Sequence, residues 1–420
     1  MPVFLYNIFL WLFRAGTYIA SPFHPKAKKW VQGRKGLLKK MEAAIPPEEK
    51  IIWIHCASLG EFEQGRPVME ALRKKYPGCK LLLTFFSPSG YEAQKEYKGA
   101  DWIFYLPIDG PGNARKFLEI VQPVLVVFVK YEFWYYYLKK IKYRNIPLLL
   151  ISALFRRDMS FFKWYGGLQR KILSRFDRLF VQNESSAALL KEIGLESITS
   201  VSGDTRFDRV TDIASRFEPI PVVEKFAGGG KLVIAGSTWR EDEELLAGSM
   251  NFIRQQGMKL VIAPHEIDAK SIESIKGLSS DAVLYSELAD GIKDASLYSC
   301  LVIDNIGMLS RLYKYGYCCF IGGGMKPAGI HNVLEAAVYS KPVFFGPFYK
   351  KYHEAIDLVD AGGAFPVADT NAFISKLENF LSDPPLYEAS ASNAGAYVSS
   401  KTGAVDKIMQ YIQEKRLLTS

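Results

Sequence analysis

The chain has 420 residues, 49% apolar and 23% charged, with a formal net charge of +9 and a pI near 9.0. That length suits two domains, each able to bury a core, and the composition excludes a disordered or low-complexity chain. The basic balance favours anionic partners, lipid or nucleotide; with no arginine-rich tract, zinc spacing or RNA-binding signature, nucleic acid is not expected.

Residues 3–13 read VFLYNIFLWLF, almost wholly apolar. Arg14 interrupts, AGTYIASPF continues to Phe23, and Lys26, Lys28, Lys29, Arg34, Lys35, Lys39 and Lys40 follow before the first acid, Glu42. Positive charge behind the apolar run, with none before it, is not a cleaved secretion signal. It predicts an anchor over residues 1–40 that holds the bulk of the protein on the cytoplasmic side of a membrane. The segment either spans or lies in the interface, because an arginine at the bilayer centre costs roughly 2.5–3.5 kcal/mol. The lysines meet the anionic cytoplasmic leaflet, at about 1 kcal/mol per charge. An ordinary first helix packed on its own domain is the plain alternative.

Beyond residue 50, apolar runs alternate with helical patterns. Strands are predicted at 51–57, 80–86, 102–107, 124–129, 147–153 and 177–183, with helices between them. The pattern restarts after a glycine run at 228–230, with strands ending at 238 and at 259–265, 282–287, 301–305, 318–323 and 342–346. Continuous apolar strands alternating with helices imply parallel sheets covered on both faces. The expected organisation is an N-terminal Rossmann-like domain over 41–215, a second over 216–398, and a C-terminal helix over 399–420 packing across their junction. Ligands of such folds bind beyond the carboxyl ends of strands, here in the cleft between the domains. The cysteines, Cys56, Cys79, Cys300, Cys318 and Cys319, form no C-x-x-C pair. They read as reduced, buried thiols, neither a disulfide framework nor a metal site.

Several strand ends carry groups suited to chemistry. Glu61, in SLGE after the first strand, is placed to act as a general base, with Gly60 leaving room for a substrate; it is equally good helix-start chemistry. Glu132, in KYEFWYYY, sits among aromatics that desolvate it or simply pack. Arg206, in GDTRFD, offers a bidentate grip on phosphate or a salt bridge to Asp204 or Asp208. Pro264 and His265 end a strand, and Ile306, Gly307 and Met308 form a turn whose backbone suits a base edge or is plain turn chemistry. Gly322, Gly323 and Gly324 precede a helix expected to open at His331-Asn332 and to carry Glu335. Glycines with a helix N-terminus suit a phosphate and a ribose, or cap a helix. No Asp-x-Asp clamp stands at a strand end, so no metal or cofactor is expected.

Assembled, these segments resemble the 3-deoxy-D-manno-octulosonic acid (Kdo) transferases of lipopolysaccharide synthesis over nearly the whole chain. The marks are the N-terminal anchor, SLGE at 58–61, TFFSPSG at 84–90, YLPID at 105–109, YEFW at 131–134, GDTRFD at 203–208, GSTWREDEE at 236–244 and GGGMKPAGIHNVLE at 322–335. The resemblance implies a GT-B fold, two Rossmann-like domains around a central cleft. It implies transfer of Kdo from CMP-Kdo to a lipid A precursor at the cytoplasmic face of the inner membrane; direct displacement with inversion, without a metal ion, is the course expected here. Glu61 becomes the catalytic base, with Glu132 and Arg206 as transition-state stabilisers. CMP contacts fall on Pro264-His265, on Ile306-Gly307-Met308, and on Asn332, Val333, Leu334 and Glu335. The chain departs from the family pattern in four places: Arg206 stands for Lys, Tyr135-Tyr136 for Pro-Asn, Pro264-His265-Glu266 for Pro-Arg-His, and Trp239 for His. A membrane GT-B enzyme using a UDP-sugar, a sugar-nucleotide epimerase and a membrane scaffold are the alternatives.

Overall fold

Strand-forming apolar runs dictate the architecture. In the computed structural model, which describes residues 2–279 and 281–418, fourteen strands among the described residues form two seven-stranded, all-parallel sheets. Met1, Ser280, Thr419 and Ser420 lie outside the described residues, so the ends of the predicted anchor and C-terminal segments do too. The chain divides into two compact units: Met1–Asp208 with Gly403–Ser420, and Arg209–Thr402.

Unit 1 holds β1 (Ile51–Cys56), β2 (Lys80–Phe85), β3 (Trp102–Tyr105), β4 (Pro123–Val129), β5 (Leu148–Ala153), β6 (Arg178–Val181) and β7 (Thr199–Val201), in the order β3-β2-β1-β4-β5-β6-β7. Every residue of β1 and β5 is buried, as expected of strands covered on both faces. The order reverses between β1 and β4, and this switch point opens a crevice beyond their carboxyl ends. Helix α4 (Leu59–Lys75) leaves β1 there. The last helix, Ala404–Glu414, returns to unit 1 and buries Ile408 and Ile412 in the core cluster that holds Ile52, Leu83 and Val127. Asp208 fixes that return by accepting from the backbone N–H groups of Gly403 (2.7 Å) and Ala404 (3.2 Å).

Unit 2 holds β8 (Leu232–Thr238), β9 (Lys259–Pro264), β10 (Ala282–Leu284), β11 (Cys300–Val302), β12 (Gly316–Ile321), β13 (Val343–Phe345) and β14 (Ala364–Pro366), in the order β10-β11-β9-β8-β12-β13-β14. Its switch point lies between β8 and β12. All five cysteines are free and buried.

Three details differ from the sequence reading. Edge strands β7 and β14 escaped it: they are three residues each and only partly buried, so they carry no apolar run. The predicted strand 282–287 stops at Leu284, and Tyr285–Ala289 is a short helix whose Glu287 side chain accepts from the Leu284 N–H at 3.0 Å. The helix expected from His331 begins at Leu334 and ends at Ala337.

The N-terminal helix α1 (Pro2–Ala20) is long and apolar enough to cross a membrane, over Val3–Ala20. One of its faces is nevertheless committed to unit 1. Tyr6 donates to Asp109 at 2.6 Å, Asn7 accepts from Tyr136 at 2.8 Å, Leu10 is buried, and Phe13 packs on Trp30 and Phe86. The opposite face exposes Phe4, Leu5, Ile8, Phe9, Trp11, Leu12 and Ile19. Helices α2 (Pro25–Gly33) and α3 (Leu37–Ala44) follow and carry much of the basic stretch.

Candidate active site

In unit 1 the crevice beyond β1 and β4 gathers two carboxyl groups. Ser58 caps α4 and Glu61 is its third residue, so the Glu61 side chain folds back. Its Oε2 accepts from the backbone N–H of Ala57 and, at 3.2 Å, of Ser58. Burial, then the nearby Glu132 carboxyl group, pushes the Glu61 pKa up to about 7, against the pull of these N–H groups and Lys130. A carboxyl group tuned to that range is suited to taking a proton near neutrality. Gly60 has open space where a side chain would lie, so the approach to Glu61 is unobstructed on that side.

Glu132 follows β4 after a left-handed turn at Lys130, where φ is +64°. Such a conformation in a non-glycine residue is strained and is common at functional sites. The buried Glu132 carboxyl group stands at the end of a chain of hydrogen-bonding groups. Trp53 Nε1 donates to Thr84 Oγ1 at 2.8 Å, Thr84 Oγ1 lies 2.8 Å from His55 Nδ1, and His55 Nε2 lies 2.9 Å from Glu132 Oε2. The same Oε2 accepts from Trp134 Nε1–H. His55 Nδ1 also lies 3.1 Å from the Thr84 carbonyl oxygen, so the imidazole is held at both of its nitrogens.

Arg206 joins the same unit through Asp204. Its Nε and Nη2 donate to Asp204 Oδ2 at 2.9 and 2.7 Å, and its backbone N–H donates to Oδ1 at 3.0 Å. Gln64, one turn beyond Glu61 on α4, donates to both Asp204 oxygens at 3.4 Å, and Thr205 Oγ1 donates to the Gln64 carbonyl at 2.6 Å. Of the two readings of GDTRFD, the salt bridge to Asp204 is the one present, and it fixes the guanidinium relative to α4.

In unit 2 the predicted residues cluster around β8, β9 and β12. His265 stacks on His331 at 4.5 Å between centroids, and Trp239 lies 4.6 Å from His265. Trp239 Nε1 donates to His331 Nε2 at 3.2 Å, which puts the ring proton of a neutral His331 on Nδ1. Burial, reinforced by His265, lowers the His331 pKa to about 4, so it is an uncharged donor at neutral pH.

The three glycines serve close backbone approach. A Cβ at Gly322 would meet the Ser237 carbonyl at 2.2 Å, and one at Gly324 would meet the Gly346 nitrogen at 2.7 Å. The Gly322 N–H is bonded to the Gly236 carbonyl at 2.9 Å and the Gly323 N–H to Asp242 at 2.8 Å, so neither N–H forms the open cradle expected of a phosphate loop. Past the loop, Asn332 donates to Glu335 at 3.0 Å and accepts the Leu334 N–H at 3.2 Å. Val333 and Leu334 are fully buried, leaving Asn332 and Glu335 as the polar groups of that segment. The Ile306–Met308 turn stands apart: Ile306 is 91% exposed, Gly307 has φ +103°, and among the described residues no hydrogen bond or ring contact ties it to the histidines.

His55, Thr84 and Trp134 had no role in the sequence reading of the site, although Thr84 and Trp134 stand in the TFFSPSG and YEFW motifs. A faint signal existed for His55, the one polar side chain in the strand IIWIHC.

Residues 29–209 match the family model of 3-deoxy-D-manno-octulosonic-acid transferases (kdotransferases). The chain is 26% identical over 336 residues to 3-deoxy-D-manno-octulosonic acid transferase of Aquifex aeolicus (strain VF5), covering 79% of this chain and 86% of that protein. It is 25% identical over 426 residues to the Bordetella pertussis protein of the same name, covering 97% and 96%. Among solved structures it is similar to a putative UDP-N-acetylglucosamine 2-epimerase from Listeria monocytogenes (TM-score 0.59, 13% identity, 89% and 98% coverage). It is similar also to UDP-GlcNAc 2-epimerase from Neisseria meningitidis (TM-score 0.59, 16% identity, 87% and 100% coverage). These two likenesses concern the fold, a pair of Rossmann-like units of the GT-B class. With that transferase domain over residues 29–209 and relatives aligned over most of its length, the chain is similar to the 3-deoxy-D-manno-octulosonic acid transferases.

Proposed function

We propose that the chain transfers Kdo from CMP-Kdo to a hydroxyl of a lipid A precursor, with inversion and without a metal ion. The observation that carries this reading is Glu61: a buried carboxyl group at the switch point of unit 1, with its pKa pushed up to about 7 and Gly60 leaving its approach open. The acceptor hydroxyl attacks the anomeric carbon as the bond from that carbon to the CMP phosphate oxygen breaks. Glu61 takes the hydroxyl proton, and CMP departs with the bonding pair. Arg206, fixed by Asp204, is the cation assigned to the leaving phosphate, and Glu132 to the positive charge developing on the sugar. Donor recognition is assigned to unit 2: the rings of Trp239, His265 and His331, the Ile306–Met308 turn, and Asn332 with Glu335.

The acceptor is a membrane lipid, which gives α1 its place. Because α1 is bound to unit 1 along one face and apolar along the other, it lies in the interface on the cytoplasmic side of the inner membrane, flanked by Lys26, Lys28, Lys29, Lys35, Lys39 and Lys40. Mass spectrometry of a lipid A precursor incubated with the protein and CMP-Kdo tests the whole reading. The expected product is heavier by one or more Kdo residues; an unchanged acceptor, or transfer only from a UDP-sugar, overturns it.

A further inference from the structure

A cavity of about 310 Å³ in unit 1 opens among α1, the α2–α3 segment and the turn after β3. Arg14 and Tyr18 line it from α1, Trp30 and Arg34 from the end of α2, Lys39 from α3, and Asn113 from the opposite wall. Among the described residues, none of its three cations has a carboxylate partner; Arg14 lies over the Tyr18 ring, and Arg34 contacts rings and carbonyl groups. Arg34 is fixed: it donates to the carbonyls of Leu106 (3.0 Å), Trp30 (3.2 Å) and Phe86 (2.8 Å) and lies over the rings of Trp30 (4.0 Å) and Tyr105 (4.8 Å). A half-buried cation that meets only neutral protein groups and lines an open cavity is suited to an anion.

Arg14 and Lys39 are exposed at the rim. Arg14 is also the charge that breaks the apolar run of α1. It lines the cavity at the border of the apolar face, where Phe9, Trp11 and Leu12 are exposed, and there it escapes the hydrocarbon. Two movable donors, one fixed guanidinium and two ring faces beside a lipid-facing helix match a phosphate carried on a sugar or glycerol.

We infer that this cavity binds the phosphomonoester headgroup of a membrane lipid, with Arg34 as its floor and Arg14 and Lys39 as its clamps. The inference rests on α1 lying in the bilayer interface, as proposed above.

The test uses the full chain and phosphatidylcholine vesicles carrying either phosphatidic acid, a phosphomonoester, or phosphatidylglycerol, a phosphodiester, at matched surface charge. The readout is the ratio of the two affinities. The native chain is expected to favour phosphatidic acid by about tenfold. The Arg14→Gln/Lys39→Gln variant should bring the ratio close to one. The control Lys26→Gln/Lys28→Gln removes equal charge outside the cavity and should weaken both affinities while keeping the ratio. A native chain that binds both vesicles equally, or a cavity variant that retains the ratio, overturns the inference while leaving the interfacial helix standing. Binding to neither vesicle overturns the interfacial reading and the inference together. If inorganic phosphate matches phosphatidic acid in affinity, the cavity serves a soluble anion, and the lipid assignment fails.

Discussion

His55 and Glu132, 77 residues apart, meet at 2.9 Å between Nε2 and Oε2 at the carboxyl ends of adjacent strands β1 and β4. Their contact fixes where one carboxyl group of the unit 1 crevice points, since Thr84 in turn locks the imidazole. His55 is a positioning residue. His55→Ala is expected to lower kcat by roughly 10–100-fold with little change in KM for the donor, because Glu132 loses its orientation and not its chemistry. His55→Gln, which can still donate, should recover part of the loss. Equal kcat for the two variants would mean that the contact is structural only.

Glu61 makes the pH profile diagnostic. Its pKa is raised from an ordinary 4.5 to about 7, so kcat/KM should fall about tenfold per pH unit below 7. The same shift acts on stability with a definite sign. Between about 4.5 and 7 the folded chain binds more protons than the unfolded one, so this group's contribution is complete below 4.5 and is lost as pH rises through 7. Glu61→Gln should lower kcat by roughly 10²–10⁴-fold. It should also raise unfolding free energy at pH 8 by roughly 2–3 kcal/mol, with little change at pH 4. Denaturant titrations at both pH values check the sign; a variant less stable than native at pH 8 contradicts the burial argument.

Arg206 is gripped through two of its nitrogens by one carboxylate oxygen of Asp204. Arg206→Lys keeps the charge but not the fork, so it should retain activity at about a tenth of native, whereas Arg206→Ala should lose about 10²–10³-fold. Both should be insensitive to EDTA, as should the native chain. Activity abolished by chelation and restored by Mg²⁺ would show that a metal carries the leaving phosphate.

Two glycines predict opposite outcomes. Gly322→Ala would drive a methyl group to 2.2 Å from the Ser237 carbonyl, beside a residue already at φ +53°. It should destabilise unit 2 by roughly 1–3 kcal/mol or more. Gly60→Ala meets no atom within 4 Å and sits in a helix, where alanine gains roughly 0.5–1 kcal/mol. That variant should be at least as stable as native, yet show a raised KM for the acceptor if substrate approaches Glu61 over this residue. Thermal melts and acceptor titrations separate the two effects.

On α1, Phe9 is 55% and Leu12 56% exposed, whereas Leu10 is 8%. Phe9→Glu/Leu12→Glu should move the chain from membrane to soluble fraction with an unchanged melting temperature. Leu10→Ala should instead lower stability by about 2 kcal/mol or more and leave membrane partition intact. The reverse pattern would show that α1 lies on the membrane through its other face.

Much of this molecule was legible as sequence. Long apolar strands such as VLVVFV and KLVIAP must be buried on both faces, which compels parallel sheets, and SLGE directly after such a strand must lie at a sheet's carboxyl end. The three-residue edge strands β7 and β14 left no comparable signal, because an edge half-open to solvent needs no apolar run. Nor does a sequence say which polar atoms meet. The Glu61 and Arg206 motifs could be read, and Asp204 as a partner for Arg206, but the long-range contacts could not: Glu132 acts on Glu61 from beyond another strand, and Asp204 touches Gln64 across 140 residues. The glycine run announced close approach but not its partner, which proved to be the backbone of Ser237 and Gly346. Local pattern is fixed by covalent neighbours and burial; orientation, protonation and the occupancy of each N–H depend on contacts that exist only once distant segments have packed.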